Sequence, residues 1–132
     1  MHSRRPSLAP AKISAPRSLK SYARTRLFKS LDKLRQRPVI WISGPAGAGK
    51  TTLAVSYLNA RSIQLLWYQL DVRDSDPAAL FYYLREALGN VAPRRKHRLS
   101  LLTPEYLAGL AAFTKNFFER LYAQMRDRKS VV

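Results

Sequence analysis

The chain has 132 residues, no cysteine and a formal net charge of +16. This length is enough for one domain with a modest core. The lack of cysteine excludes disulfides, thiolate metal sites and a cysteine nucleophile. No stretch is apolar over the roughly 18 residues that a membrane span needs. The composition is therefore that of a globular protein, with no membrane partner expected and a cytoplasmic location predicted.

The positive charge is concentrated near the N-terminus. Residues 1–38 contain eleven lysines and arginines but a single acid, Asp32. The first 17 residues include three prolines and three serines and few apolar side chains, which is typical of a disordered segment. We predict a disordered basic leader over residues 1–20. Because such a charge favours anionic partners, a basic nucleic-acid-binding module is one alternative function, and a solvated tail is the simpler interpretation.

The first regular elements are predicted just after this leader. Apolar residues recur on one helical face between residues 25 and 36, at Leu27, Phe28, Leu31 and Leu34. Pro38 ends this helix. Residues 39–42, Val-Ile-Trp-Ile, are rich in β-branched and aromatic side chains and predict a buried strand.

The stretch that follows reads Gly-Pro-Ala-Gly-Ala-Gly-Lys-Thr-Thr at residues 44–52. It fits the phosphate-binding pattern G-x-x-x-x-G-K-[ST] at every fixed position. The predicted strand before it, and a predicted helix over residues 52–58 after it, are the flanks that this pattern requires. The sequence therefore predicts a loop that binds the phosphates of a nucleotide.

Each residue type in this loop suits that ligand. Glycines allow tight bends and a close approach of the backbone, and the first turn of the next helix presents unpaired N–H groups. Lys50 is expected to reach the β- and γ-phosphates, the Thr51 hydroxyl to bind Mg²⁺, and Thr52 to approach the α-phosphate. The predicted binding residues are Gly44, Pro45, Ala46, Gly47, Ala48, Gly49, Lys50, Thr51 and Thr52.

Two strand candidates and two helices are predicted in the remainder of the chain. Residues 63–70 form the second predicted strand. Asp76 caps a helix that begins at Pro77 and ends near Gly89. After a connection over residues 90–103, Thr103 caps a last helix, whose apolar face carries Leu107, Leu110, Ala111, Phe117, Phe118, Leu121 and Met125. The final valines look like the start of another strand.

A nucleotide hydrolase also needs a carboxylate for Mg²⁺ and the attacking water, at the end of an apolar strand. The expected place for this Walker B residue lies just after Val132. Asp71, after the second predicted strand, is the internal alternative. If Asp71 were catalytic, the chain would be a small P-loop phosphotransferase, such as a nucleoside or sugar kinase, with the basic run at residues 94–98 as a phosphate lid. His2 and His97 have no partner at metal-ligand spacing and are predicted to be surface residues.

In order and spacing, several stretches resemble the N-terminal part of the signal-transduction ATPases with numerous domains. The similarity is greatest to the large LuxR-type bacterial transcriptional regulators of the maltose-regulon-activator kind. It covers about residues 13–132 and is carried by residues 24–27, 45–53, 66–71 with 74–77, and 102–107 with 117–118.

This resemblance implies an α/β fold of the P-loop NTPase type (ASCE or AAA-like) over residues 21–132, with a parallel sheet and flanking helices, incomplete at the C-terminus. It implies ATP or ADP with Mg²⁺, slow hydrolysis as a switch, and self-association of the ATP-bound state. Ala23 and Arg24 would lie on the adenine side. DNA would be bound only by domains outside this chain. Because the Walker B carboxylate is missing, whether the chain is an enzyme stays open.

The resemblance also predicts a weak point. In the family's sheet order, 5-1-4-3-2, the strand before the loop pairs with strands 4 and 5, which this chain does not contain. The strand at residues 39–43 would therefore have unpaired edges. Since unpaired strand edges promote aggregation, we expect marginal stability or poor solubility.

Overall fold

A computed structural model describes residues 11–16, 24–125 and 130–131. The chain forms two compact units. Residues 16–63 make up the first, which we call the loop unit because it contains the glycine-rich loop. Residues 1–15 and 64–132 make up the second, which we call the helical unit.

The loop unit is built on two helices, α1 (Thr25–Leu34) and α2 (Lys50–Ala60). Its small core consists of Phe28 and Leu31 from α1 and Tyr57 from α2. The rings of Phe28 and Tyr57 meet edge to face, with centroids 5.4 Å apart. The predicted helix at residues 25–36 is thus present, because its apolar residues recur with the period of a helix and have a partner helix to pack on.

An ion pair between Arg61 and Asp32 lies beside this core. The Arg61 guanidinium donates two hydrogen bonds to Asp32, at 2.9 and 2.8 Å, and the Tyr57 hydroxyl donates a third at 2.7 Å. The hydrogen bonds from Arg61, and then that from Tyr57, lower the pKa of Asp32 to about 2. The pair therefore joins α1 to the end of α2.

The predicted strand at residues 39–42 is not formed. Ile40 and Ile42 pack against the α1–α2 core, but Val39 and Trp41 are 76% and 87% exposed. Within the described ranges, no segment lies alongside this stretch as a strand. Its composition is that of a buried strand, but a strand needs a neighbour to receive its backbone hydrogen bonds.

The helical unit contains the longer helices α3 (Pro77–Val91) and α4 (Leu110–Met125). Short 3₁₀ turns accompany them at Ala11–Ile13, Val72–Ser75, Lys96–Arg98 and Pro104–Gly109. The core of the unit includes Phe81, Leu84 and Leu88 from α3, and Phe113, Phe117 and Leu121 from α4. The predicted face of α3 is therefore buried, but the face predicted for the last helix is only partly so. Leu107 and Ala111 of that prediction are exposed, whereas Phe113, which the prediction did not include, is buried.

The predicted cap explains where α3 begins, but not where α4 begins. The Asp76 side chain accepts a hydrogen bond from the Ala78 amide at 3.1 Å, and Pro77 is the first residue of α3. The helix continues past Gly89 to Val91, two residues beyond the predicted end. Thr103 precedes the 3₁₀ turn rather than α4, and its side chain makes no capping hydrogen bond.

Only one pair of strands occurs in the described part of the chain. β1 (Gln64–Leu65) runs parallel to β2 (Ser130–Val131), with Gln64 opposite Ser130 and Leu65 opposite Val131. The predicted α/β fold, with a parallel sheet of the P-loop NTPase type, is therefore wrong. Of the second predicted strand, at 63–70, only Gln64 and Leu65 form a strand, and Leu70 at its end is 74% exposed.

A piece of the predicted leader packs on the helical unit. Ile13 is only 4% exposed and belongs to the core of this unit. The Lys12 carbonyl accepts a hydrogen bond from the Gln69 amide at 2.8 Å, and the Ile13 carbonyl accepts one from Asn90 Nδ2 at 3.0 Å. We call residues 11–15 the docked segment. None of the described helices has the length and apolar character of a membrane span.

Candidate phosphate-binding loop

The glycine-rich loop ends where α2 begins. Gly47 and Gly49 both have φ near +80°, a region that disfavours residues with a side chain, and Gly49 is the residue that caps α2. The Ala48 amide donates to the Pro45 carbonyl at 3.1 Å, which closes a turn within the loop. Gly49, which the pattern fixes, and Gly47, which stands at one of its variable positions, thus both lie where the backbone needs glycine.

Lys50, the first residue of α2, turns back toward the start of the loop. Its Nζ donates to the Gly44 carbonyl at 2.6 Å and to the Pro45 carbonyl at 3.2 Å. The Lys50 ammonium therefore lies at an open, solvent-accessible loop, and it forms no ion pair with a carboxylate in the described part of the chain. The Lys50 charge is therefore held at the loop by two neutral carbonyl oxygens.

The first turn of α2 leaves amide groups unused. Leu53 N donates to Gly49 O at 2.9 Å. The amides of Lys50, Thr51 and Thr52 have no backbone acceptor in the described part of the chain. These three N–H groups and the dipole of α2 create a region of positive potential at the end of the loop. Thr51 and Thr52 are exposed, so both hydroxyls are accessible to a ligand.

Arg24 brings a second cation to this loop. Its Nη1 and Nη2 each lie 3.4 Å from the Ala48 carbonyl, and a Cβ added at Gly49 would lie 3.1 Å from Nη2. Arg24 precedes α1, and its carbonyl accepts a hydrogen bond from the Phe28 amide. The resemblance predicts Arg24 on the adenine side, and this stays a prediction; in the structure its guanidinium lies against the Ala48 carbonyl of the loop. Ala23, predicted with it, lies outside the described residues.

Asp71, the alternative catalytic carboxylate, is fully engaged in a turn. It caps the 3₁₀ turn at Val72–Ser75 by accepting a hydrogen bond from the Arg73 amide at 2.8 Å. Its Oδ2 accepts from the Arg73 guanidinium at 2.7 Å and from Lys12 Nζ at 3.1 Å. The hydrogen bond from Arg73, followed by smaller contributions that include Lys12, holds the pKa of Asp71 well below its usual range despite desolvation. This arrangement leaves little capacity for a metal or a substrate proton.

Sequence reasoning missed the partner of Asp71, which is Lys12. The Lys12 side chain is 2% exposed and pairs with both Asp71 and Asp74, and the Tyr68 hydroxyl also donates to Asp74. Desolvation lowers the pKa of Lys12, but the hydrogen bonds to Asp74 and Asp71 outweigh it, so that the pKa is raised. No local pattern signals this network, because 62 residues separate Lys12 from Asp74.

The basic run at residues 94–98, proposed above as a phosphate lid, is largely bound to the helices. Arg95 donates to the Gln124 carbonyl at 2.8 Å, Arg98 donates to the Gln124 side chain at 3.2 Å, and Lys96 pairs with Glu86 at 3.5 Å. His97 is exposed, as predicted, and His2 lies outside the described residues. Among the described residues, no group of three or more His, Cys, Asp or Glu side chains forms a metal site.

No protein-family model, no curated protein and no solved structure matches the chain. What the chain can bind therefore has to follow from its own residues and their geometry.

Proposed function

We propose that residues 44–52 bind the phosphates of ATP or ADP, and that the chain is a nucleotide-binding portion of a regulatory ATPase. The observation that carries this proposal is Lys50. Its ammonium donates a hydrogen bond to the Gly44 carbonyl at the start of the loop, while its own amide, at the end of the loop, has no acceptor among the residues that the structure describes. One residue thereby offers a charge and a backbone donor to the same anion. The helix N-terminus adds further donors, which is the usual way in which proteins bind phosphate.

The charges around the loop support a polyphosphate rather than a single small anion. Lys50 and Arg24 supply two cations, and the unused amides of the first turn supply neutral donors. Several donors and two cations suit a ligand with several phosphate oxygens. Thr51 is the proposed Mg²⁺ ligand, since a hydroxyl beside the β- and γ-phosphates is a usual Mg²⁺ partner in such loops.

Hydrolysis is proposed to be slow. Asp32 is the only acid between residues 16 and 63, and it is already bound to Arg61 and Tyr57. The loop unit therefore offers no free carboxylate to hold Mg²⁺ or orient the attacking water. We propose nucleotide binding as the principal activity, and self-association of the ATP-bound chain as its consequence, to be checked by sedimentation velocity with and without ATP.

The test compares nucleotide affinity in the wild type, Lys50→Ala and Lys33→Ala. Lys33 is an exposed residue of α1 in the same unit, so its variant loses the same charge away from the loop. Calorimetry with Mg-ATP and Mg-ADP is expected to show at least a roughly tenfold weaker Kd in Lys50→Ala, equal to about 1.4 kcal/mol. Lys33→Ala should bind as the wild type does.

Two results would overturn the proposal. Equal affinity in Lys50→Ala and wild type would remove the loop as the site. Equal weakening in both variants would show that the ligand responds only to the overall charge of +16. Titration with inorganic triphosphate and with adenosine separates recognition of the phosphates from recognition of the base, and the proposal requires the triphosphate to bind.

A further inference from the structure

Helix α1 carries three exposed cations on the side that faces away from its core. Arg26, Lys29 and Lys33 follow one another at spacings of three and four residues, so they lie along one face of the helix. Because a helix has about 3.6 residues per turn, this face lies roughly opposite Phe28 and Leu31, which are buried. We call these three residues the basic face.

The charges of the basic face are not neutralised within the described part of the chain. None of its three side chains forms an ion pair there, and the one acid of α1, Asp32, is bound to Arg61 instead. Lys29 and Lys33 are four residues apart, and like charges at this spacing destabilise a helix. An anion bound to the basic face relieves this repulsion.

The spacing of the three cations suits a chain of phosphates. With a rise of about 1.5 Å per residue, Arg26 and Lys33 lie about 10 Å apart along the helix axis. A nucleic-acid duplex carries one phosphate on each strand per about 3.4 Å of its own axis. A length of about 10 Å therefore presents about three phosphates of one strand, one for each cation.

The apolar side of α1 disfavours a membrane surface as the partner. An amphipathic helix binds a bilayer by burying its apolar face at the acyl chains. Phe28 and Leu31 are each 7% exposed, because they pack in the core with Tyr57, so they are not available to lipid. Phe28 is also the only aromatic residue of α1. The basic face therefore has no ring of its own helix on which an unpaired base could stack.

We propose that the basic face binds the phosphodiester backbone of a nucleic-acid duplex, either DNA or RNA, without reading its sequence. Each of the three cations contacts a phosphate oxygen and displaces a counterion from the duplex. The glycine-rich loop contributes no residue to this surface. The loop unit thus carries two separate anion sites, one for a nucleotide and one for a nucleic-acid backbone.

Two triple variants of equal charge separate the basic face from the overall positive charge. The first replaces the whole basic face, as Arg26→Gln/Lys29→Gln/Lys33→Gln. The second is the control and makes the same change at three exposed cations of the helical unit that form no ion pair in the described part of the chain, as Arg94→Gln/Lys115→Gln/Arg120→Gln. Both lower the formal net charge from +16 to +13. Glutamine favours a helix about as well as lysine and arginine do.

Fluorescence anisotropy with a short labelled duplex measures the Kd at a series of salt concentrations, once for DNA and once for RNA. Each phosphate contact contributes about −0.9 to the slope of log K against log salt concentration. The slope of the basic-face variant should therefore be less steep than that of wild type by about 2 to 3, and its affinity at low salt at least about tenfold weaker. The slope of the control variant should change by less than about 1.

Circular dichroism checks that each variant is folded. If the basic-face variant is not, Lys29→Gln/Lys33→Gln takes its place, and Arg94→Gln/Lys115→Gln becomes the matched control. The expected change in slope for two lost contacts is then about 2.

Three results would overturn the proposal. A slope unchanged from wild type in the basic-face variant would remove this face as the site. Equal changes in both triple variants would show that the duplex responds only to net charge. Vesicles of phosphatidylserine and phosphatidylcholine that bind wild type more tightly than either duplex, and lose binding in the basic-face variant, would make the partner a membrane. None of these results bears on nucleotide binding at the loop, which the Lys50→Ala comparison decides separately.

Discussion

At the level of single residues, Asp32 forms an ion pair at the edge of an apolar core. It receives hydrogen bonds from Arg61 and Tyr57 at the edge of the loop-unit core. These partners favour the ionised carboxylate, which is why its pKa lies at about 2 rather than near 3.8. Since the unfolded chain lacks these partners, the ionised pair stabilises only the folded state.

The stability of the protein should therefore depend on Asp32 at acidic pH. The folded-state pKa is lowered, so the contribution is fully present above the unfolded pKa near 3.8 and is lost as the pH falls through about 2. In urea unfolding series at several pH values across this window, the wild type should lose more stability than Asp32→Asn. Glu119→Gln, at an exposed position of α4, is the control and should follow the wild type. If the free energy of unfolding fell equally with pH in wild type and Asp32→Asn, the lowered pKa of Asp32 would not be the cause of the acid sensitivity.

Thr51 is expected to act through Mg²⁺. Thr51→Val keeps the size of the side chain and removes the hydroxyl. Calorimetry with ATP should show roughly tenfold weaker binding than wild type when Mg²⁺ is present. With Mg²⁺ removed by EDTA, both proteins should bind ATP equally. A loss that is the same in both conditions would mean that Thr51 contacts the nucleotide or supports the helix, and does not bind the metal.

At the level of elements, the docked segment is the feature that local sequence least suggests. Residues 11–15 come from a stretch rich in proline and serine, yet Ile13 enters the core of the helical unit and Lys12 pairs with Asp71 and Asp74. The short turn has few hydrogen bonds of its own. Its position must therefore depend on these distant contacts, since an isolated three-residue turn has no independent stability.

Removing the Ile13 side chain should destabilise the helical unit. Ile13→Ala deletes a buried branched side chain, and such changes cost about 2–4 kcal/mol in well-packed cores. Urea unfolding, followed by Trp67 fluorescence in the Trp41→Phe protein, measures this loss. Leu107→Ala, at a residue that is 62% exposed, should change the stability by no more than about 0.5 kcal/mol. A similarly small effect of Ile13→Ala would show that the segment does not pack in solution.

At the level of the whole molecule, the net charge of +16 is the dominant property. An excess of positive charge attracts any polyanion, and the affinity of such binding falls steeply as the salt concentration rises, because salt ions compete for the same charges. The proposed nucleotide binding at the loop and a general attraction of nucleic acid are thus two separate predictions for this chain. Only the first requires a defined arrangement of Lys50, Arg24 and the free amides.

Binding to DNA should accordingly be non-specific. Affinity for a duplex of any sequence, measured by fluorescence anisotropy, should fall at least about tenfold between low and physiological salt. Lys50→Ala should have nearly the same salt dependence as wild type, since it removes one of 24 lysines and arginines. A preference for one sequence that persists at high salt would instead indicate a dedicated DNA-binding surface.

The sequence by itself determined the features that depend on neighbouring residues. The periodicity of Phe28 and Leu31 predicted α1, Asp76 and Pro77 predicted the start of α3, and the glycine pattern predicted the bends at Gly47 and Gly49. Each is a local matter, because helices, caps and tight turns are formed by contacts within a few residues.

Only the tertiary structure decided the features that join distant residues. Residues 39–42 have the composition of a strand, but a sheet depends on partners elsewhere in the chain, and the described residues supply just the pair β1 and β2. In the same way, the ion pairs of Lys12 and the unpaired donor of Trp67 arise from segments far apart in the chain. Strand pairing and buried polar contacts are non-local, so composition and spacing alone do not determine them.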